Sequence, residues 1–492
     1  MSAPTNPEPP TNPEPTTSQP SDTAGGDTGP VHAFTDDALG TRDAVGLAAA
    51  IRSGELSRQE VLEAAIARVE KVNPRLNAVV VDCFDRARRA PATFGPFAGV
   101  PSFVKDNADV AGLPTCHGSD GFKPYPRLRN SDPAEQFLRQ GFVALGKTTL
   151  PEFGLTASTE FAHREPTRNP WNTARSVGAS SGGSAALVAA GAVPIAHAND
   201  GGGSIRIPAA ANGLVGLKPT RCRMLDAHGA RHLPVNLLAE GVVSRSVRDT
   251  AYYFAAAEKF CPAPDLPPIG LVEGPGERRL RIGVVRHDVL GREIHPETGA
   301  VLDSAAEQLT RAGHELIDMR LRIDPRFVDA FSTYWALLGL VVSASYKIEN
   351  GRYFSPRRVD PFTRGLIRKI SRNPLAAIPA IRQLRAGTAL YDEHFTDVDL
   401  MLSPVLSHPA PMLGEQSPDQ PFEELFAKLI DYIGFTPINN IGGGPAISIP
   451  HGMMSSNLPG SIQISAPQGD EATLLEMAYL FEAECGFPSI DQ

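Results

Sequence analysis

Apolar residues Val61, Leu62, Ala65, Ile66, Val69 and Val72 recur every three or four positions, which puts them on one face of a helix. Ser57 and Glu60 stand just before this stripe as a capping-box pair. Asn73-Pro74 is expected to end the helix, because the residue before a proline is pushed out of the helical region. Asp43 to Arg52 predicts an earlier helix. Shorter apolar runs read as buried strands: Phe103-Val104, then Phe142 to Leu145, with a helix over about Pro133 to Arg139 between them. Ala185 to Ala190 predicts a helix of small residues, and Val193-Pro194-Ile195-Ala196 leads into a glycine turn at 201–203. Further along, Leu280 to Val285, Pro296 to Arg311 and Glu315 to Met319 follow as strand, helix and strand, a βαβ unit. Val398 to Leu402 and Ala446 to Ile449 add buried strands, and 325–395 is largely helical. Strand signals run from end to end with no flexible linker after residue 30. The pattern therefore predicts one large α/β domain over 31–492 rather than several small ones.

The first thirty residues follow no such pattern. They hold eight prolines, repeat Pro-Thr-Asn-Pro-Glu-Pro at 4–9 and 10–15, and offer no aromatic or branched aliphatic residue to bury. A disordered Pro-rich tail is expected over 1–30, since nothing there offsets the entropy of ordering. The formal charge of −9 is uneven: Glu8, Glu14, Asp22 and Asp27 place −4 in the tail, and the rest of the chain is close to neutral. With no basic stripe among aromatics, no nucleic-acid partner is expected. The five cysteines are never closer than 33 residues, which excludes a Cys-x-x-Cys zinc or redox motif and reads as free thiols in a reducing compartment. Apolar runs such as Tyr334 to Val342 fall short of the ~20 residues that cross a bilayer. No basic stretch precedes an apolar one at the N-terminus, so no secretory signal is read there. The expectation is a cytoplasmic protein with no membrane partner.

Three segments carry candidate chemistry. Gly95 to Asp106 contains an apolar run, Val100-Pro101-Ser102-Phe103-Val104, that ends on Lys105. Gly178-Ala179-Ser180-Ser181-Gly182-Gly183-Ser184 opens the small-residue helix, and Asn199-Asp200-Gly201-Gly202-Gly203-Ser204-Ile205-Arg206 forms the glycine turn. Singly, a lysine at a strand end reads as a solvated cap, and a Gly/Ser turn before a helix as an anion cradle. Neither turn has nucleotide-loop spacing, and no Gly-x-Ser-x-Gly elbow surrounds either serine. His197, close to the glycine turn, reads as structural rather than as a base. A serine hydroxyl needs a base within hydrogen-bond reach, and a lysine can serve only when neutral. Neutrality requires burial to pull its pKa down by several units from ~10.4, which the apolar Phe103-Val104 beside Lys105 suits.

Read together, the segments resemble the amidase signature family, the Ser–Ser–Lys serine amidohydrolases. Gly213-Leu214-Val215-Gly216-Leu217-Lys218-Pro219-Thr220, Gly146 to Phe153, Arg168-Asn169-Pro170-Trp171 and the stretch from Phe435 to Ser448 extend the likeness over about residues 31–490. The wording is similar to bacterial amidases related to 6-aminohexanoate cyclic dimer hydrolase and indoleacetamide hydrolase. The resemblance implies the amidase signature fold, a single large α/β domain with a central mixed β-sheet flanked by helices. It implies Ser204 as nucleophile, Ser180 as bridging serine and Lys105 as base, with an oxyanion hole at Gly201, Gly202, Gly203 and Ser204. Asp200 and Arg206 are expected as a supporting buried ion pair. No metal and no organic cofactor are expected. Ala179 stands where glycine is usual before a cis peptide, Asn199 where threonine is common, Thr149 where asparagine is, and Asn212 where cysteine is. The implied reaction is hydrolysis of a linear carboxamide to a carboxylate and ammonia or an amine through an acyl-enzyme. The bulk of Phe327, Phe331, Tyr334, Trp335, Leu337 and Leu338 points to an aryl or other apolar acyl group. The alternative is the glutaminase subunit of a tRNA-dependent amidotransferase, for which Arg357, Arg358 and Asp360 could grip an amino-acid head group. A non-catalytic binding protein on the same fold would not need Lys105, Ser180 and Ser204 all intact. Expected partners are a small-molecule amide and, as one option, a second copy in a homodimer.

Overall fold

The apolar runs become strands of two adjoining sheets in the computed structural model, which describes residues 28–491 apart from His228, Asp324 and Pro325. The first sheet has three strands, β1 (Val79–Asp82), β2 (Pro101–Lys105) and β3 (Val143–Thr148), in the order β1-β3-β2. A short hairpin follows, β4 (Arg168–Asn169) and β5 (Asn172–Ser176). The second sheet has eight strands: β6 (Ile195–Asp200), β7 (Val215–Lys218), β8 (Ala239–Ser244), β9 (Arg281–Val285), β10 (Glu315–Met319), β11 (Leu400–Pro404), β12 (Ala446–Met453) and β13 (Pro459–Ser465). Their order is β10-β9-β11-β13-β12-β7-β8-β6. β10, β9 and β11 run parallel, and every other neighbouring pair is antiparallel, so the sheet is mixed. The βαβ unit read from the sequence is β9, the helix Pro296–Arg311 and β10, paired in parallel.

The edge strand β6 does not end the layer. Ser102 Oγ on β2 donates to the Ile195 carbonyl on β6 at 2.7 Å, and the Lys105 N–H faces His197 Nδ1 at 3.4 Å. β2 therefore runs beside β6, which brings Lys105 next to the strand that leads into the glycine turn. Helices Arg58–Leu76, Gly182–Ala189 and Val247–Phe260 cover the layer, and one continuous apolar core joins them to both sheets. The whole is a single α/β domain with a large mixed sheet flanked by helices.

Two sequence expectations shift. The helix that Ser57 caps runs through Pro74 to Leu76 instead of stopping at Asn73. The Asn73 side chain accepts from the N–H groups of Ala78 and Val79 at 2.8 and 3.0 Å, which ties down a last turn that proline alone would loosen. Helix Arg326–Asn350 is also long and apolar enough to cross a membrane by length and composition, although no single apolar run is. Its Phe327, Ala330, Tyr334, Ala336 and Leu338 are buried inside the protein. The expected tail lies outside the described residues as far as 27; Thr28 accepts from the Thr173 N–H at 3.2 Å, and Val31 donates to the Pro170 carbonyl at 2.8 Å.

Candidate active site

Three elements deliver the predicted side chains to one place. Lys105 is the last residue of β2, Ser180 and Ser181 precede helix Gly182–Ala189, and Asn199 and Asp200 end β6. Lys105 is wholly buried. Its Nζ lies 2.7 Å from Ser180 Oγ, 3.0 Å from Ser181 Oγ and 2.6 Å from Asn199 Oδ1. Burial pulls the ammonium down to about 7, against the opposing pull of the Glu240 and Asp200 carboxylates. A neutral amine has two N–H donors and one lone pair. Donation to Asn199 and Ser181 leaves the lone pair for the Ser180 hydroxyl. The Ala179–Ser180 peptide is cis.

Ser204 sits in the turn after β6, at the start of helix Arg206–Asn212. Among the described residues no hydrogen bond joins its hydroxyl to Ser180, yet both border Gly154. A Cβ on Gly154 would meet Ser180 Oγ at 2.9 Å, and Gly154 and Ser204 line the same cavity. Gly203 has φ +130°, and a Cβ there would lie 2.4 Å from Thr436 Oγ1, so only glycine fits. Thr436 Oγ1 donates to the Gly202 carbonyl at 2.7 Å.

Asp200 clasps the turn from inside. Its carboxylate accepts from the N–H of Gly203 at 2.7 Å and of Ile205 at 3.2 Å, and pairs with Arg206 at 2.9 Å with both side chains buried. Burial raises the Asp200 pKa, but the Arg206 guanidinium overcomes this and holds it below the usual carboxylate range. Arg206 also donates to Thr436 O, Asn439 Oδ1, Asn440 Oδ1 and Gln463 Oε1 at 2.8 to 3.0 Å. One expectation needs correction. The Gly203 N–H is taken by Asp200, so it is not a free donor. The N–H groups of Gly201, Gly202 and Ser204 carry no hydrogen bond to a described residue.

Ser204 and Gly202 open onto a cavity of about 500 Å³, part of it continuous with solvent, walled by Leu155, Ile207, Phe331, Trp335, Phe426 and Ile433. A Cβ on Gly202 would touch Trp335 and Phe331 at 3.6 and 3.7 Å. The two rings stack with centroids 5.3 Å apart, and Trp335 Nε1 donates to the Leu155 carbonyl at 3.0 Å. Of the apolar stripe read from the sequence, only Phe331 and Trp335 face this space. Phe327, Tyr334 and Leu338 pack with Val235 and Leu384, because the helix is covered on that side as well. Arg357 and Arg358 are exposed, and neither they nor Asp360 line the cavity.

His197 is buried on β6 with Nε2 3.3 Å from Glu240 Oε2, and it reaches neither serine. Sequence reasoning passed over Asn199 as a mere replacement and gave Ser181 no role, yet both hold Lys105 Nζ. Their adjacency to Asp200 and Ser180 was the available signal.

The chain matches the family model described as Amidase over residues 60–475. It is 47% identical over 462 residues, 92% of this chain and 96% of the other, to the Mycobacterium tuberculosis protein named, provisionally, amidase AmiC. The solved structure of 6-aminohexanoate cyclic dimer hydrolase superposes with a TM-score of 0.83 at 33% identity, covering 93% of this chain and 99% of that one. A bacterial aryl acylamidase of the amidase signature family superposes with a TM-score of 0.79 at 26% identity, covering 90% and 96%. With its fold, its Ser and Lys segments and these likenesses in agreement, the chain belongs to the amidase signature family and is an amidase, a hydrolase of carbon–nitrogen bonds.

Proposed function

We propose that the chain hydrolyses a linear carboxamide with an aryl or other apolar acyl group through an acyl-enzyme on Ser204. Neutral Lys105 accepts the Ser180 proton while Ser180 accepts the proton of Ser204. The freed Ser204 oxygen bonds to the amide carbon, and the carbonyl oxygen takes up negative charge against the free N–H groups of Gly201, Gly202 and Ser204. As the carbon–nitrogen bond breaks, the proton held by Lys105 returns through Ser180 to the leaving nitrogen, which departs as ammonia or an amine. Water, deprotonated along the same route, then releases the carboxylate. The observation that carries this reading is the 2.7 Å approach of Lys105 Nζ to Ser180 Oγ in full burial.

The apolar walls around Ser204, Phe331 and Trp335 above all, favour aryl and other apolar amides. They also count against the glutaminase reading, which calls for charged groups on the acyl pocket. The free thiols of Cys83, Cys116, Cys222 and Cys261 suit a cytoplasmic setting. Labelling with a fluorophosphonate tests the nucleophile. Wild type is expected to take the label on Ser204, while Ser204→Ala and Lys105→Arg take none. A labelled Lys105→Arg protein would sink the base assignment, since arginine keeps the cation and cannot give up its proton. Turnover of glutamine above that of aryl amides would sink the substrate class.

A further inference from the structure

Helices Pro361–Arg372 and Ala377–Arg385, joined through Pro374–Ala376, both pack on helix Arg326–Asn350, whose Phe331 and Trp335 wall the cavity. Phe362, Leu366 and Ile370 on the first, and Ala377, Ala380 and Leu384 on the second, are buried. The outward side is different. From Pro361 to Tyr391 the chain has six cations (Arg364, Arg368, Lys369, Arg372, Arg382 and Arg385) and no acid, in a protein of net charge −9. Ion pairs are frequent elsewhere, but none of these six makes one with a described residue. At the turn between the helices the apolar side chains of Leu375 and Ile378 are 72% and 58% exposed.

We propose that this helix pair docks the enzyme on an anionic lipid surface, with Leu375 and Ile378 entering the interface and the exposed cations facing the headgroups. Arg364 and Arg385 donate to the Val359 and Pro234 carbonyls, which leaves Arg368, Arg372 and Arg382, all exposed, beside the apolar tips. Both requirements of such a contact are thus met, apolar area to bury and charge to attract. An acidic protein has no general attraction to an anionic membrane, so a local concentration of cations is needed to set the docking face. The sequence reading expected no membrane partner because no apolar run spans a bilayer; a surface contact needs no span. Acids bound this stretch at both ends, Asp360 at the N-terminus of the first helix beside Arg364 and Asp392 and Glu393 after Tyr391. Glu423 and Glu424 lie on helix Phe422–Tyr432, which packs against the first helix and also carries Lys428. The first helix also adjoins the cavity: Lys369 Nζ lies 5.7 Å from the Phe426 ring, and Phe426 is part of the cavity wall. Docking would thus bring the cavity mouth close to a phase in which apolar amides concentrate. The proposal stands on charge and exposure and does not depend on the catalytic assignment.

Co-sedimentation of the full chain with extruded vesicles tests it. Binding is expected to vesicles of phosphatidylcholine mixed with phosphatidylglycerol, to fall as salt rises, and to be absent with phosphatidylcholine alone. The pairs Arg368→Glu with Arg372→Glu, and Leu375→Asp with Ile378→Asp, are each expected to weaken binding about tenfold or more. All four positions are exposed, so melting and turnover of a water-soluble amide are expected to stay as in wild type. Wild type left in the supernatant, equal binding to neutral vesicles, or variants that bind as wild type does would overturn the proposal. So would a fall in oligomeric mass on Leu375→Asp with Ile378→Asp without loss of vesicle binding, since a second copy would then be what covers the face.

Discussion

Lys105 Nζ meets three oxygens within 3.0 Å, and the count matters more than any one distance. Protonated, the lysine donates to all three and can accept nothing; neutral, it has one lone pair for Ser180. With its pKa brought to about 7, kcat/KM is expected to climb roughly tenfold per pH unit below that value and to level off above it. A profile flat between pH 5 and 8 would contradict this. Lys218 is also brought to about 7 by burial, but it donates to the Pro219 and Gly444 carbonyls, so the two lysines must be told apart. Asn199→Asp does so. A carboxylate 2.6 Å from Nζ favours the ammonium form, so the rising limb is expected to move to higher pH by about one unit or more. An unmoved limb would assign the titration elsewhere. Lys105, Ser180 and Ser204 stood out in the sequence because an apolar run ending on lysine and two Gly/Ser-rich turns together resemble the amidase signature family. Asn199 was not, because an amide at a strand end looks like any solvated polar residue until its partner is known.

The long helix Arg326–Asn350 shows what periodicity misses. Over Phe327 to Leu338 it is apolar except at Asp329, Ser332 and Thr333, since one side packs on Val235 and Leu384 and another faces the cavity. So wide an apolar stripe cannot say which side is core and which is pocket. The structure separates them, and Trp335→Ala is the discriminating change. It removes the ring over Gly202 and the hydrogen bond to Leu155. For an aryl amide kcat/KM is expected to fall by about ten- to a hundredfold, in line with ~1–3 kcal/mol for lost apolar contact, with a smaller effect on acetamide. Equal losses on both substrates would mean that Trp335 supports the glycine turn rather than the acyl group. Pro74 teaches the converse: a strong local stop signal yielded because the Asn73 side chain secured the turn beyond it.

At the scale of the molecule, the local βαβ unit was readable, whereas the strand order was not. β2 and β6 lie nearly a hundred residues apart in sequence and meet through the Ser102 hydroxyl and the His197 ring, and no local pattern announces such a pairing. The N-terminal boundary gives a direct check. A chain that begins at Thr28 is expected to melt within about two degrees of the full protein, and one that begins at Thr35 to melt lower. The longer truncation removes the Val31 and Ala33 hydrogen bonds to Pro170 and Ala190, and two buried side chains. Thermal scans of the two truncations decide it.

The Asp200–Arg206 clasp has a consequence in time as well as in space. The three side chains of the proposed reaction are synthesised by residue 204, but the guanidinium that steadies their loop takes its remaining acceptors from 436, 439, 440 and 463. A growing chain on the ribosome thus carries the proposed nucleophile, bridge and base for more than two hundred residues of translation without the braces of its glycine turn. The expected consequence is that hydrolytic competence is withheld until the last strand, β13, has emerged.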